Sequence, residues 1–173
     1  MRKKLSPALV LSWLLALSMV VYCAMLYVHT NTLVRIHGDS IREDIFRIHD
    51  TCKELSKMLE EKDEAIATES LWISGRLSSM HDGINFNEDY GRLILDLASD
   101  LAAYGSLEDK DSAAAALLLE DIELKTNALY KTTQYIVEKL YDKDISKMNT
   151  KYFDARVPSE NINRQISSVV KNL

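Results

Sequence analysis

Apolar and polar positions divide this chain into one unbroken apolar segment followed by several striped ones. Residues 8–28 contain no charged side chain. As a helix, such a stretch spans ~30 Å, the thickness of a bilayer core. Ser6-Pro7 supplies its start, with serine as N-cap and proline in the first turn. Trp13, Tyr22 and Tyr27 place aromatic rings in the segment, Tyr27 near its outer end. Beyond it a heptad begins. Stepping 4, 3, 4, 3 from Val34 gives Gly38, Ile41, Ile45, Ile48, Cys52, Leu55, Leu59, Lys62, Ile66, Glu69, Ile73, Arg76 and Met80. Ten of these fourteen positions are apolar or cysteine, and three of the four failures come after Leu59. A 3.5-residue repeat keeps one seam facing a partner helix, so a coiled-coil stripe is strongest in the first half. Residues 33–80 as one helix would reach ~70 Å from the bilayer.

His81-Asp82-Gly83 predicts the end of that helix, with glycine at a left-handed cap. Asn87 then reads as an N-cap, with Glu88 and Asp89 in the first turn, where the helix dipole favours acids. Tyr90, Leu93, Leu97, Leu101 and Tyr104 form one face, Ile94 widens it, and Gly105 is expected to stop the helix. A third helix is expected over 111–141, with Leu118, Ile122, Leu129, Ile136 and Leu140 inward. Residues 142–158 read as a linker, and Pro158-Ser159 opens a last short helix carrying Ile162, Ile166, Val169 and Leu173. These stripes must bury one another. The expected fold is all-α: an N-terminal transmembrane helix, then an antiparallel helical bundle with a long first helix, part of which projects or pairs with another copy.

Composition supports helices over strands. Among 173 residues there are five glycines and two prolines, and the prolines stand near the ends. Charge is split along the chain. The net charge is −5; the first seven residues contribute +3 through Arg2, Lys3 and Lys4, which leaves −8 for the remainder. The positive-inside rule keeps the basic end in the cytoplasm. The expected layout is therefore a cytoplasmic tail at 1–7, a single membrane span at 8–28 and an extracytoplasmic helical domain at 29–173. Tyr22-Cys23-Ala24 puts a bulky side chain where signal peptidase wants a small one, and the apolar run is longer than a signal peptide needs, so the segment reads as an uncleaved signal anchor. An acidic domain offers no phosphate-binding cluster, which speaks against nucleic acid as a partner.

Motifs for catalysis are missing. His29, His37, His49 and His81 are scattered, without the i, i+4 spacing of a metal site, so neither metal nor cofactor is expected. There is no GxSxG, Walker loop or GxGxxG, and paired acids such as Glu60-Glu61 and Glu120-Asp121 fall on helix faces that solvent should bathe. An enzyme is not expected. Cys52, on the heptad seam, reads either as a small buried hydrophobe or as an intermolecular disulfide across a parallel homodimer. The tract 113–119 reads as helix core, and Tyr130, Tyr135, Tyr141 and Tyr152 as packing at the edge of the bundle. Ser12 and Ala16 make one small-xxx-small pair within the membrane segment. The candidate interaction surface is the continuous seam Ile41, Ile45, Ile48, Cys52, Leu55 and Leu59.

The stretches Glu69-Ser70-Leu71-Trp72-Ile73 and Asn87-Glu88-Asp89-Tyr90-Gly91-Arg92-Leu93-Ile94-Leu95-Asp96-Leu97-Ala98 resemble the helical N-terminal region of YpeB-type spore-germination membrane proteins. So does Glu160-Asn161-Ile162-Asn163-Arg164-Gln165-Ile166. That family carries PepSY-type domains after this region, whereas the sequence here ends at Leu173 without them. The resemblance implies a spore-forming, Gram-positive setting and a role as partner to a cortex-lytic enzyme, and it carries over no catalytic residue. The expected function is that of a non-catalytic, membrane-anchored helical module that binds or positions a partner protein outside the cytoplasmic membrane. Two alternatives stand beside it: a sensor subunit signalling laterally to a membrane partner, and a division-type structural coiled coil.

Overall fold

The computed structural model describes residues 7–61, 65–81, 84, 87–140 and 160–171. All the regular structure there is helical: α1 (Pro7–Glu61), α2 (Ala65–His81), α3 (Glu88–Ser106), α4 (Ala113–Leu140) and α5 (Glu160–Lys171). The basic tail at 2–4, Lys62, the Asp82-Gly83 cap, Tyr141, Tyr152, the linker 142–158, Leu173 and the side chains of Val34, His37, Leu140 and Ile162 lie outside the described residues.

α1 runs without interruption through two environments. It is the one helix among the described residues long and apolar enough to cross a membrane, and its most apolar 18-residue stretch has a mean hydropathy of 2.0 with none of it buried. Hydroxyls here are satisfied by the helix itself. Ser18 Oγ donates to Leu15 O (2.8 Å) and Thr32 Oγ1 to Val28 O (2.9 Å), so neither needs water. From Gly38 onward the same helix becomes core. Gly38, Ile41, Ile45, Ile48, Cys52 and Leu55 are buried at alternating steps of three and four, while Arg42–Asp39 (3.1 Å) and Arg47–Glu43 (2.5 Å) occupy the outer face.

The single helix expected over 33–80 is instead two. α1 ends at Glu61 and α2 begins at Ala65. Glu54 of α1 meets Arg76 of α2 at 3.8 Å, and Glu61 and Glu69 line one cleft, so α2 returns along α1. The physical reason lies in the seam. Continued past Leu59 it would point Glu69 and Arg76 at a partner helix. α2 buries Ile66, Ser70, Ile73, Ser74, Leu77 and Met80 instead, which leaves Glu69 exposed and sets Arg76 over the Trp72 ring at 5.2 Å.

Among the described residues, α2 and α3 share the most extensive contact between helices. Small residues seven apart on α3, Gly91, Ala98 and Gly105, make it possible. Ser74 Oγ donates to Ala98 O at 2.6 Å. A Cβ built on Gly105 would stand 2.6 Å from Leu71 Cγ and 2.7 Å from Ser70 Oγ. α3 ends at Ser106, one residue past the expected stop at Gly105. Position 105 is glycine because α2 passes too close for anything larger.

At its other end α3 begins as the sequence predicts. Asn87 is extended (φ −145°, ψ 119°), and its side-chain oxygen accepts from Tyr90 N at 2.9 Å. The amide nitrogen of the same side chain donates to Asn163 O (3.1 Å) and Ser167 Oγ (3.2 Å), which ties α5 to the start of α3. Lys171–Asp89 (3.3 Å) and a hydrogen bond from Tyr135 Oη to Gln165 Oε1 (3.0 Å) complete that dock. Ser167, together with Lys171, holds the Asp89 carboxyl below its ordinary pKa. Of the residues expected inward on α5, Ile166 is buried and Val169 half-buried.

α4 passes α1 and α3 and closes the core. His49 stacks on Tyr130 (5.0 Å between centroids), and Tyr90 Oη meets Thr133 Oγ1 at 2.8 Å. Thr133 gives its own proton to Leu129 O (2.7 Å), so Tyr90 is the donor of that pair. Lys125 pairs with Asp100 across the α3–α4 contact. Ile122, Leu129 and Ile136 are buried as expected, and Leu118 is half-buried. The tract 113–119 is only partly core. Ala115 faces in, whereas Leu117 is 67% exposed, because one helix face accommodates only every third or fourth residue.

Candidate functional site

The seam that the sequence offered as an interaction surface is mostly interior. Ile41, Ile45, Ile48, Cys52 and Leu55 belong to one buried cluster with Ile122, Leu129 and Ile136 of α4 and Tyr90, Ile94 and Leu97 of α3. Cys52 is 1% exposed, and burial pushes its thiol up to about 12. Facing one Cys52 to another across a parallel pair would need this face bare, and here the chain's own helices cover it. Leu59 differs. It is half-buried, and it opens onto a cleft at the end of α1 farthest from the apolar segment.

That cleft of about 610 Å³ forms where four helix ends meet. Met58 and Leu59 come from the last turns of α1, Ile66 and Ala67 from the first turn of α2, Tyr104 from the end of α3, and Ala116 and Leu119 from the start of α4. Together they make an apolar floor. The loop between α3 and α4 is held by its own side chains. Asp109 Oδ1 accepts from Asp111 N (3.0 Å), Ser112 Oγ donates to Asp109 O (2.8 Å), and Ser112 Oγ caps α4 by accepting from Ala115 N (3.2 Å). The fixed loop sets Lys110 across the end of α3. Its ammonium donates to Tyr104 O and lies 4.7 Å from the centre of the Tyr104 ring. A helix C-terminus favours a cation there. Asp111, Glu120 and Glu123 form the acidic side of the rim.

Smaller clefts lie elsewhere. One of about 360 Å³ sits between His81, Gly91 and Leu95, and one of about 400 Å³ sits between Glu54, Glu69 and Trp72. Among the described residues no three His, Cys, Asp or Glu side chains converge as metal ligands would. Compared with known protein families, with curated proteins and with solved structures, the chain matches none.

The distal cleft could not be read from the sequence as a site, because its lining comes from four separate segments. A partial signal was present. The seam loses its apolar register just after Leu59, and the tract 113–119 holds more apolar residues than one stripe can bury. Both excesses come to the surface at this end of the molecule. Tyr130 and Tyr135 are half-buried, at the edge of the core as expected, but the Tyr135 hydroxyl donates to Gln165 Oε1 instead of facing water alone.

Proposed function

We propose that the chain is a membrane-anchored, non-catalytic helical module that binds or positions a partner protein outside the cytoplasmic membrane. Residues 1–7 are the cytoplasmic tail, 8–28 the span, and 29–173 an extracytoplasmic antiparallel helical bundle. The observation that supports this is the change of character along α1. Its described side chains from Leu11 to Ile36 are exposed, although most of them are apolar, and from Gly38 the helix becomes the core of the domain without a break. Exposed apolar surface on that scale needs lipid or protein to cover it. A helix shared by span and domain gives the domain a fixed height and bearing over the bilayer, which suits presentation of a surface to another protein. The resemblance to YpeB-type proteins directs the same proposal toward spore germination or cell-wall processes.

Topology and partnership are tested separately. A reporter that is active only outside the cytoplasm, fused after Leu173, should be active, and the mature N-terminus should precede residue 20. Activity of a cytoplasm-only reporter at the same position overturns the orientation. Capture in mild detergent should recover a discrete extracytoplasmic protein, and recovery of the chain alone argues against the binding role.

A further inference from the structure

We infer that the distal cleft seats an amphipathic helix of the partner protein, with a few apolar anchors flanked by Lys or Arg. This deepens, and rests on, the partner-binding role proposed above. The open cleft of about 610 Å³ has room for a few anchoring side chains. Its floor of Leu59, Ile66, Ala67, Tyr104 and Leu119 is apolar, so binding would remove apolar surface of both partners from water. A groove between helix ends suits an apolar helix face with anchors at i, i+3 and i+4.

Charge selects the kind of helix. Three acids, Asp111, Glu120 and Glu123, line the cleft with one lysine. That lysine, Lys110, is already held by the carbonyl and ring of Tyr104. α1 contributes only the apolar Met58 and Leu59 to the lining. The rim therefore repels acidic surfaces and attracts basic ones. The same field argues against a second copy as occupant, because residues 8–173 are themselves at −8. Lipid is excluded by height. Thirty residues of unbroken helix separate Val28 from Leu59, which at ~1.5 Å each puts the cleft ~45 Å above the end of the apolar segment.

The test uses the full chain in nanodiscs and three synthetic helical peptides, read by fluorescence anisotropy. One carries Leu anchors with Lys flanks, the second the same anchors with Glu flanks, and the third Lys flanks with Ser in place of Leu. The Lys–Leu peptide should bind at least about tenfold tighter than either other peptide, which corresponds to ~1.4 kcal/mol. Ala116→Trp, which fills the cleft from an exposed position, should weaken it about tenfold or more. Glu120→Lys with Glu123→Lys should do the same and reduce the salt dependence. Should Ala116→Trp fail to fold by circular dichroism, Leu119→Lys serves as the second cleft variant. Equal binding of the Lys and Glu peptides, or binding that survives a filled cleft, overturns the proposal. So does a self-association of the chain that filling the cleft abolishes. A photo-crosslinker placed at 116 or at 72 in intact membranes separates the two levels. Partner adducts from 72 alone leave the partner-binding role standing and remove the cleft, adducts from 116 support both, and adducts from neither remove both.

Discussion

Three helical glycines provide a controlled test of how closely α2 and α3 pack. Replacing glycine by alanine within a helix stabilises by ~1 kcal/mol, because the unfolded chain loses freedom and the helix gains a better former. That gain is common to Gly75, Gly91 and Gly105, although Gly105 gains less because α3 ends one residue later. The space for a methyl group differs at each. At Gly75 nothing lies within 4 Å of the added Cβ, so the full gain of ~1 kcal/mol should appear. At Gly91 the nearest atoms are His81 Nε2 at 3.2 Å and His81 Cδ2 at 3.4 Å, tighter than ordinary contact, so gain and cost should nearly cancel. At Gly105 the Cβ would stand 2.6 Å from Leu71 Cγ and 2.7 Å from Ser70 Oγ. Overpacking of this kind costs ~1–3 kcal/mol, which exceeds the gain. Urea unfolding of the full chain in detergent, followed by circular dichroism, should rank Gly75→Ala above the parent, Gly91→Ala beside it and Gly105→Ala below it. Adding Leu71→Ala to Gly105→Ala should recover part of the loss, since Leu71 is 53% exposed and costs little to truncate. If Gly105→Ala is stabilised as much as Gly75→Ala, the close approach of α2 to α3 is wrong.

Ser70→Ala should raise stability by ~1 kcal/mol, because Ser70 Oγ is buried with no hydrogen-bond partner among the described residues; a loss in the same unfolding assay contradicts that. Asn87→Asp keeps the acceptor that caps α3 but loses both donations to α5, so hydrogen exchange should quicken in α5 and not in α3, whereas Asn87→Ala should quicken both and cost ~1 kcal/mol for the cap. In alkali, burial holds the Cys52 thiol at about 12 against 9.0 for a free one, and drives the Tyr90 phenol upward too. The folded chain then keeps protons that the unfolded chain releases, so stability is complete below pH ~9 and falls above it, by up to ~1.4 kcal/mol per pH unit for each group. Melting temperatures from pH 7 to 11 should show that fall, and Cys52→Ala should flatten its first part.

Features governed by local rules were legible in the sequence. The uncharged run, the seam from Ile41 to Leu55, the Asn87 cap and the inward face of α4 arise from helix periodicity and capping, which act over a few residues. Features that depended on neighbours distant in the sequence were not legible. α3 does end beside Gly105, but only the passage of Leu71 and Ser70 reveals the contact that requires glycine there. The turn-back between α1 and α2 left a trace in the charged seam positions Glu69 and Arg76, but a one-dimensional repeat cannot tell a charged face from a reversal. The seam was correctly seen to need a cover. Whether a second copy or α4 supplied it was a tertiary question, and α4 does.

The unbroken course of α1 also fixes a phase. Each added residue of helix turns the domain beyond it by ~100° and lifts it ~1.5 Å. One residue inserted between His29 and Ile36 would therefore swing the acidic rim more than a quarter turn about the axis at nearly constant height, whereas seven would return it to within ~20° of its bearing, ~10 Å higher. A partner itself embedded in the bilayer would sense the first change sharply, and one diffusing freely would hardly register it. On the proposed topology, the residue count between Val28 and Gly38, more than the side chains there, would set the bearing of the domain over the bilayer.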